Sequence, residues 1–186
     1  MRNFTIHNTP LTDLKIVERQ TIGDARGFLS HVFCAEGLLS AGWCSLIAQI
    51  NHTFTEKKGT VRGMHFQNQP YAEMKLVTCL RGVVWDVAVD LREGSPTFLK
   101  WYGQELSASN RRSMLIPEGF AHGFQALTDN CELLYLHSTP YTPDAEAGLN
   151  PNDPTLELRW PLTITELSKR DSSHPMLTQN FSGLSL

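Results

Sequence analysis

The sequence lacks long apolar runs and an excess of charge of either sign. Its longest uncharged window, residues 37–55, is interrupted by polar side chains such as Gln49 and Asn51, so no membrane-spanning helix is predicted. Charged residues make up 19% of the chain and the formal net charge is -3, which excludes a disordered chain and one that coats nucleic acid. No apolar segment precedes Lys15, so we expect no export signal and a cytoplasmic location without nucleic-acid or membrane partners.

Cysteine is also scarce. Cys34, Cys44, Cys79 and Cys131 show no C-x-x-C spacing, and the cytoplasm keeps thiols reduced. We therefore predict small core residues rather than disulfides or a zinc cluster.

Helical periodicity is weak, whereas short runs of β-type composition recur between turn signals. A chain of 186 residues suits one domain, and many short strands without crossover helices favour an antiparallel jelly-roll sandwich or barrel with a ligand cavity. The predicted strands cover residues 28–33, 45–51, 60–67, 73–80, 83–90, 97–106, 113–116, 121–127 and 132–138. Short helices are predicted at 34–39 and 163–170, and residues 138–153 form a long Pro- and Asn-rich loop.

The clearest strand is VVWDVAVD at residues 83–90. Alternation places Val83, Trp85, Val87 and Val89 on one face and leaves the two aspartates on the other. We expect this Asp-bearing face to meet water or a polar cavity.

Polar side chains concentrate at Arg62, His65, Gln67 and Lys75, and a second histidine follows at His122. Strict alternation would put Arg62 and His65 on opposite faces of their strand. Because the glycine between them, Gly63, is typical of a bulge, both side chains are predicted to reach one site.

One interpretation of these residues is a metal site, since cupin-type jelly rolls bind metal through H-x-H, a following Glu, and P-x-G-x-x-H. The second segment is present at residues 117–122, but the first is broken because Gln67 replaces a histidine. Amide oxygen is a poorer ligand for such metals than imidazole. A site made of His65, Glu73 and His122 stays open as the weaker alternative.

The other interpretation is metal-free proton transfer at carbon. That chemistry needs a base, a group that orients the base, a cation for the developing oxyanion, and an acid on the opposite face. The chain offers His65, Asp171, Lys75 and Tyr135 for these roles. Further cations suit a phosphorylated substrate, and they are Arg26, Arg62 and Arg170.

Long ordered motifs extend over almost the whole chain. They include GDARGFLSHVF, QINHTFTEKKGTVRGMHFQ, MKLVTCLRGVVWDVAVDLREGSPTF, LSASNRRSMLIPEGFAHGF, LLYLHSTPYTPDAEAG and LSKRD. With them the chain resembles the dTDP-4-dehydrorhamnose 3,5-epimerase family, cupin-fold enzymes that epimerise nucleotide-linked 4-keto-6-deoxy sugars. The resemblance implies an all-β, cupin-type jelly-roll barrel with a few short helices, formed by one domain over residues 1–186.

The resemblance also implies roles for individual residues. His65 is the base, Asp171 orients it, Lys75 stabilises the enolate, and Tyr135 returns a proton from the other face. The implied substrate-binding residues, with Tyr141 stacking on the nucleotide base, are Arg26, His31, Gln49, Asn51, Arg62, His122, Tyr141, Glu146 and Arg170. It implies no metal, no organic cofactor, and a homodimer whose N-terminal segment, with Arg26 and His31, serves the partner's site.

Several positions depart from the family pattern at the edge of the expected nucleotide pocket. Where the family usually has Glu, Phe, Trp and Lys, this chain has His31, Ile22, Pro151 and Arg170, respectively. It also has one extra residue between Asn51 and the VRG motif. The base, the sugar and the number of inverted centres are therefore left open. The alternatives are a C3- or C5-only epimerase of another nucleotide sugar, a metal-dependent cupin oxygenase or isomerase, and a binder without activity. An intact catalytic set argues against the last of these.

Overall fold

The computed structural model describes residues 3–186, which contain thirteen strands and two short α-helices. The strands are Phe4–Asn8 (β1), Lys15–Arg19 (β2), Thr21–Asp24 (β3), Gly27–Ser30 (β4), Gln49–Thr55 (β5), Val61–Gln67 (β6), Lys75–Arg81 (β7), Val83–Asp90 (β8), Trp101–Ser107 (β9), Arg112–Ile116 (β10), Phe120–Ala126 (β11), Cys131–His137 (β12) and Glu146–Gly148 (β13). The helices are Ala35–Leu39 (α1) and Lys169–Ser173 (α2). Within this described range, no helix has the length and apolar character needed to cross a membrane.

Two antiparallel sheets contain most of the strands. One has the order β1-β2-β10-β7-β12-β5 and the other the order β13-β6-β11-β8-β9, while β3 and β4 pair as a separate hairpin. Chain neighbours are often not sheet neighbours, since β10 lies between β2 and β7. This arrangement is a cupin-type jelly roll, which confirms the predicted fold class.

Apolar side chains fill the space between the sheets and cover both outer faces. The inner cluster joins residues such as Ile16, Val77 and Phe124. On the outer face of the larger sheet, Trp43 and the helix residue Leu38 pack over the strands, and the C-terminal segment covers the outer face of the smaller sheet. These clusters pack closely around the strands, so the residues that face the interior of the barrel are held rigidly.

Strand β8 has the bounds that alternation predicts, and its two faces separate as expected. Val87 and Val89 belong to the outer cluster, whereas Val84 and Ala88 belong to the inner one. The Asp-bearing face is not exposed to water, because Asp86 is 0% exposed inside the barrel. Its carboxylate instead lies 2.8 Å from the ring nitrogen Nε2 of His122, a residue that lines the cavity.

Other predicted elements differ from the observed ones. Strands β1, β2 and β3 lie where no strand is predicted, and β13 lies within the predicted loop 138–153. The predicted strand at 97–106 begins only at Trp101, because Thr97 donates to the Asp90 carboxylate in a turn. The helix predicted at 163–170 is wrong: α2 begins at Lys169. Its N-cap is Ser168, whose side-chain oxygen accepts the Asp171 N–H at 3.0 Å.

The cysteine prediction holds for two of the four residues. Cys79 and Cys131 are buried in the inner cluster, whereas Cys44 is exposed and Cys34 is half-buried. All four are free thiols. The prediction is wrong for Cys44, because the adjacent Trp43 packs into the core and leaves Cys44 facing outward.

Candidate active site

A cavity of about 1060 Å³ lies between the two sheets. Its volume is at the upper end of the range for small-molecule sites. All of the site residues predicted from the sequence line it, except Arg26 and His31. The predicted residues that do line the cavity are Gln49, Asn51, Arg62, His65, Lys75, His122, Tyr135, Tyr141, Glu146, Arg170 and Asp171. The strand residues among them come together largely because inward-facing positions recur at every second residue of a strand, whereas Arg170 and Asp171 reach the cavity from α2 and Tyr141 from the loop after β12.

His65 and Asp171 form a hydrogen-bonded pair in the cavity wall. His65 Nε2 lies 2.8 Å from Asp171 Oδ1. Nε2 also lies 3.1 Å from Arg170 Nη2, but its shorter contact is to the carboxylate, which only accepts. We therefore assign the ring proton to Nε2, which leaves Nδ1 as the basic nitrogen. Burial raises the pKa of Asp171, but the hydrogen bond and charge of His65 outweigh burial and hold that pKa at about 2. The ionised carboxylate therefore accepts the ring proton and orients the imidazole.

A bulge in β6 directs both Arg62 and His65 into the cavity. His65 pairs with His122 while Arg62 pairs with Phe124, so three steps along β6 oppose two along β11. The predicted bulge at Gly63 is thereby confirmed. Gly63 has a φ of +123°, and a Cβ built there would lie 2.5 Å from the Cα of the facing strand's glycine. Only glycine fits this position.

Lys75 and Glu73 form a buried ion pair beside the His65–Asp171 dyad. Lys75 Nζ lies 3.0 Å from Glu73 Oε1 and donates to the His65 carbonyl oxygen at 3.3 Å. The other oxygen of Glu73 accepts from His137 Nδ1 at 3.0 Å. Burial raises the pKa of Glu73, but the His137 hydrogen bond and the charge of Lys75 more than offset it and leave the pKa below its ordinary value. An ammonium group thus faces the cavity next to the imidazole.

Tyr135 faces His65 from the opposite sheet, because it lies on β12 whereas His65 lies on β6. Burial raises the pKa of Tyr135, and the nearby charge of Asp86 raises it further. The phenol therefore stays protonated at neutral pH, as a proton donor must. Its ring packs edge-on against His122, with the ring centroids 6.0 Å apart.

The mouth of the cavity carries a second polar group of side chains. Tyr141 is half exposed, and its hydroxyl donates to Glu146 Oε2 at 2.8 Å. Arg170 donates to Glu146 Oε1 at 3.1 Å, and Gln49 Oε1 accepts the Tyr141 backbone N–H at 2.9 Å. An exposed aromatic ring framed by a cation and amide groups suits a nucleotide base and its phosphates.

Arg26 and His31 lie outside this cavity. Arg26 is in the turn of the β3–β4 hairpin and pairs with Asp24 at 2.6 Å, with 89% of its side chain exposed. His31 follows the same hairpin and is exposed. The structure of the single chain therefore does not bring these two residues to the other site residues.

The sequence interpretation missed His137 as a cavity group and gave Glu73 a different role. Alternation contained the signals, because His137 follows Tyr135 by two positions and Glu73 precedes Lys75 by two. Glu73 contacts both Lys75 and His137 because the register of β7 against β12 pairs these two residues.

The residues of the metal alternative are each bonded elsewhere. Both oxygens of Glu73 are taken by Lys75 and His137, and His122 is paired with a buried aspartate. Within residues 3–186, the group of three potential ligand residues whose ligand atoms all lie within 4.8 Å of one another consists instead of His65, Asp171 and His174. Two of these three are the dyad itself, so a cation there would displace the proton that joins them. The donor set does not fit the cupin metal site.

An imidazole–carboxylate pair and a phenol facing each other across a jelly-roll cavity, with an ammonium group beside them, define an enzyme that moves protons at carbon. The family model for dTDP-4-dehydrorhamnose 3,5-epimerase matches residues 8–179. The chain belongs to this family and is therefore an isomerase.

Individual relatives agree with this assignment. The dTDP-4-dehydrorhamnose 3,5-epimerase of Salmonella typhimurium is 41% identical over 92% of this chain and 94% of its own length. The crystal structure of the Legionella pneumophila dTDP-6-deoxy-D-glucose-3,5-epimerase in complex with dTDP-4-keto-L-rhamnose has a TM-score of 0.88 and 39% identity, and covers 93% of this chain and 92% of that one. A 3'-monoepimerase from Streptomyces bikiniensis in complex with dTDP-quinovose has a TM-score of 0.84 and 33% identity, with 91% and 86% covered.

Proposed function

We propose that this chain converts dTDP-4-dehydro-6-deoxy-D-glucose to dTDP-4-dehydro-L-rhamnose by inverting C3 and C5. The observation that carries the proposal is that His65, which is paired with Asp171, and Tyr135 lie on facing sheets. Inversion needs a base and an acid on opposite sides of the reacting carbon, and a sugar held between the sheets meets that requirement.

The proposed reaction begins at the carbon next to the 4-keto group. His65 Nδ1 removes its proton, and the electron pair moves into the carbonyl to form an enolate. The Lys75 ammonium stabilises the negative charge on O4. Tyr135 then donates its proton to the same carbon from the opposite side, which inverts the centre. The keto group itself provides the acidity, so the proposed reaction uses no metal or organic cofactor.

The proposed nucleotide site is at the cavity mouth. Tyr141 stacks on the base, while Gln49, Asn51 and Glu146 contact the nucleoside. Arg62 and Arg170 bind the diphosphate, since guanidinium groups bind phosphate in a bidentate manner. His122 contacts the sugar beside Tyr135. An epimerase that inverts only C3 or C5 is the second candidate, because the monoepimerase cited above shares the fold.

Deuterium incorporation tests the chemistry and distinguishes the two candidates. The protein is incubated with dTDP-4-keto-6-deoxyglucose in deuterated water, and C3 and C5 are followed by NMR and mass spectrometry. Deuterium at both carbons supports the 3,5-epimerase, and deuterium at one carbon supports the monoepimerase. His65→Asn should abolish incorporation yet still bind dTDP, whereas His52→Asn, on the outer face of β5, should match the wild type. Unchanged turnover in His65→Asn would reject the assigned base.

We also propose a cytoplasmic homodimer in which the β3–β4 hairpin reaches the partner's cavity. The hairpin exposes Ile22, Phe28 and Leu29 at 61–65%, and exposed apolar clusters mark contact surfaces. If Arg26 serves the neighbouring site, subunits carrying Arg26→Ala and His65→Asn should complement one another when mixed, recovering about a quarter of wild-type activity from the one intact site in each mixed dimer. A mixture no more active than its components would refute the exchange.

A further inference from the structure

A chain of hydrogen bonds follows the cavity wall from its mouth towards Lys75. The Tyr141 backbone N–H donates to Gln49 Oε1 at 2.9 Å, and Gln49 Nε2 donates to Asn51 Oδ1 at 2.9 Å. Asn51 Nδ2 lies 3.4 Å from His137 Nε2. The chain continues through His137 Nδ1 to Glu73, so it joins the mouth of the cavity to the ion pair at its inner end.

Each link in this chain fixes the orientation of the next. The backbone N–H at the mouth can only donate, which sets the amide of Gln49, and Gln49 in turn sets the amide of Asn51. Asn51 then presents its NH₂ group to His137 Nε2. That nitrogen must accept, so the proton of a neutral His137 ring lies on Nδ1 and is donated to Glu73.

Glu73 lies between two groups that face each other directly. Lys75 on β7 and His137 on β12 are register partners, so their side chains occupy the same face of the sheet. Glu73 contacts both at 3.0 Å, and the exposed fractions of the Lys75, Glu73 and His137 side chains are 7%, 8% and 11%. A buried ammonium needs such a counter-ion. His137 takes the second carboxylate oxygen, which leaves Glu73 one geometry in which to hold Lys75.

We propose that Glu73 and His137 are positioning residues that hold the Lys75 ammonium at the site of the developing oxyanion. The inference rests on the proposed function, in which Lys75 stabilises the enolate. Neither residue needs to touch the sugar, because both act through Lys75. The same chain makes the position of Lys75 dependent on the segment around Tyr141, where the nucleotide is proposed to bind.

Glu73→Gln tests this role, because it keeps the shape of the side chain and removes its charge. We expect kcat for solvent deuterium exchange to fall roughly 10- to 100-fold, as misplacement of a catalytic group does, while KM stays within about threefold of the wild type. In a Lys75→Gln background, the same substitution should cost nothing further, since residues that act as one unit are not additive.

Glu132→Gln is the matched control. Glu132 also joins a histidine, His52, to a cation, Arg81, but it does so away from the cavity. This variant should keep the wild-type kcat and KM. The inference is overturned if Glu73→Gln keeps its kcat, or if it loses the same factor with and without Lys75. Full activity of Lys75→Gln would instead refute the proposed role of Lys75, which separates the two failures.

A second pair of variants decides the matter if Glu73→Gln does not fold. His137→Phe keeps a ring that can stack on Tyr135, whose centroid lies 6.1 Å away, but it cannot donate to Glu73. His137→Asn places an amide donor near the position of Nδ1. We expect kcat to fall in His137→Phe and to recover in His137→Asn. Equal activity of these two variants would overturn the role of His137 as the donor to Glu73.

Discussion

Replacing Asp171 with Asn should remove a pH-dependent part of the protein's stability. Asp171 is 3% exposed, and its pKa is held at about 2 against an ordinary value of 3.8. The difference corresponds to about 2 kcal/mol of unfolding free energy, since one pKa unit is worth about 1.4 kcal/mol. The folded pKa is the lower one, so the unfolded chain binds more protons between these values. The contribution is therefore complete above about pH 5 and is lost as the pH falls towards 2.

Urea denaturation of the wild type and Asp171→Asn at several pH values measures this contribution. The two proteins share all other carboxylates, so the difference between their free energies of unfolding isolates Asp171. We expect the wild type to be about 2 kcal/mol more stable at pH 7, with roughly half of that pH-dependent advantage gone at pH 3. A difference that does not change between pH 7 and pH 3 would show that the charge on Asp171 contributes nothing, and would refute the electrostatic argument for the dyad.

Two further substitutions test the bulge and the acid. Gly63→Ala should lower the unfolding free energy by about 2 kcal/mol or more, because the added Cβ meets the backbone of β11. The control Gly42→Ala should cost less, because Gly42 also has a positive φ, +106°, but has open space around it. Equal losses of stability in thermal or urea unfolding would argue against the clash. Tyr135→Phe should keep deuterium exchange better than formation of the inverted product, because proton removal does not need the phenol, and equal loss of both in the same NMR assay would contradict its role as the acid.

The fold was largely predictable because the central strands have β-type composition, and in β8 a clear two-residue alternation, in their own sequences. VVWDVAVD alternates over its whole length and forms β8 with the predicted bounds. Strand β2, KIVER, has a charged residue at its start and two near its end, and it is a strand because it pairs with both β1 and β10. Such pairing is tertiary, so local composition does not contain it. The start of α2 differs from the prediction for another reason: the break at Trp160 and Pro161 places the helix at 163–170, but the cap at Ser168 sets its actual start.

The sequence predicted most residues of the candidate site, but it did not predict the hydrogen bonds between them. Motifs placed His65, Lys75 and Tyr135 together, and inward-facing alternation explains why they share one cavity. The link between Glu73 and His137 joins positions 64 residues apart. Only the register of two strands makes that contact, and a register error of one residue would turn one of these side chains away.

The position of Asp171 in the chain has a consequence for the order in which the protein matures. His65 and its carboxylate partner are separated by 106 residues, and the last strand of either sheet ends at Gly148. Because synthesis proceeds from the N-terminus and domains begin to fold as they emerge, every strand is available before the residue that orients the base. The imidazole therefore gains its partner only when the segment that follows the last strand packs against β6, so proton transfer depends on the docking of this segment as well as on the barrel.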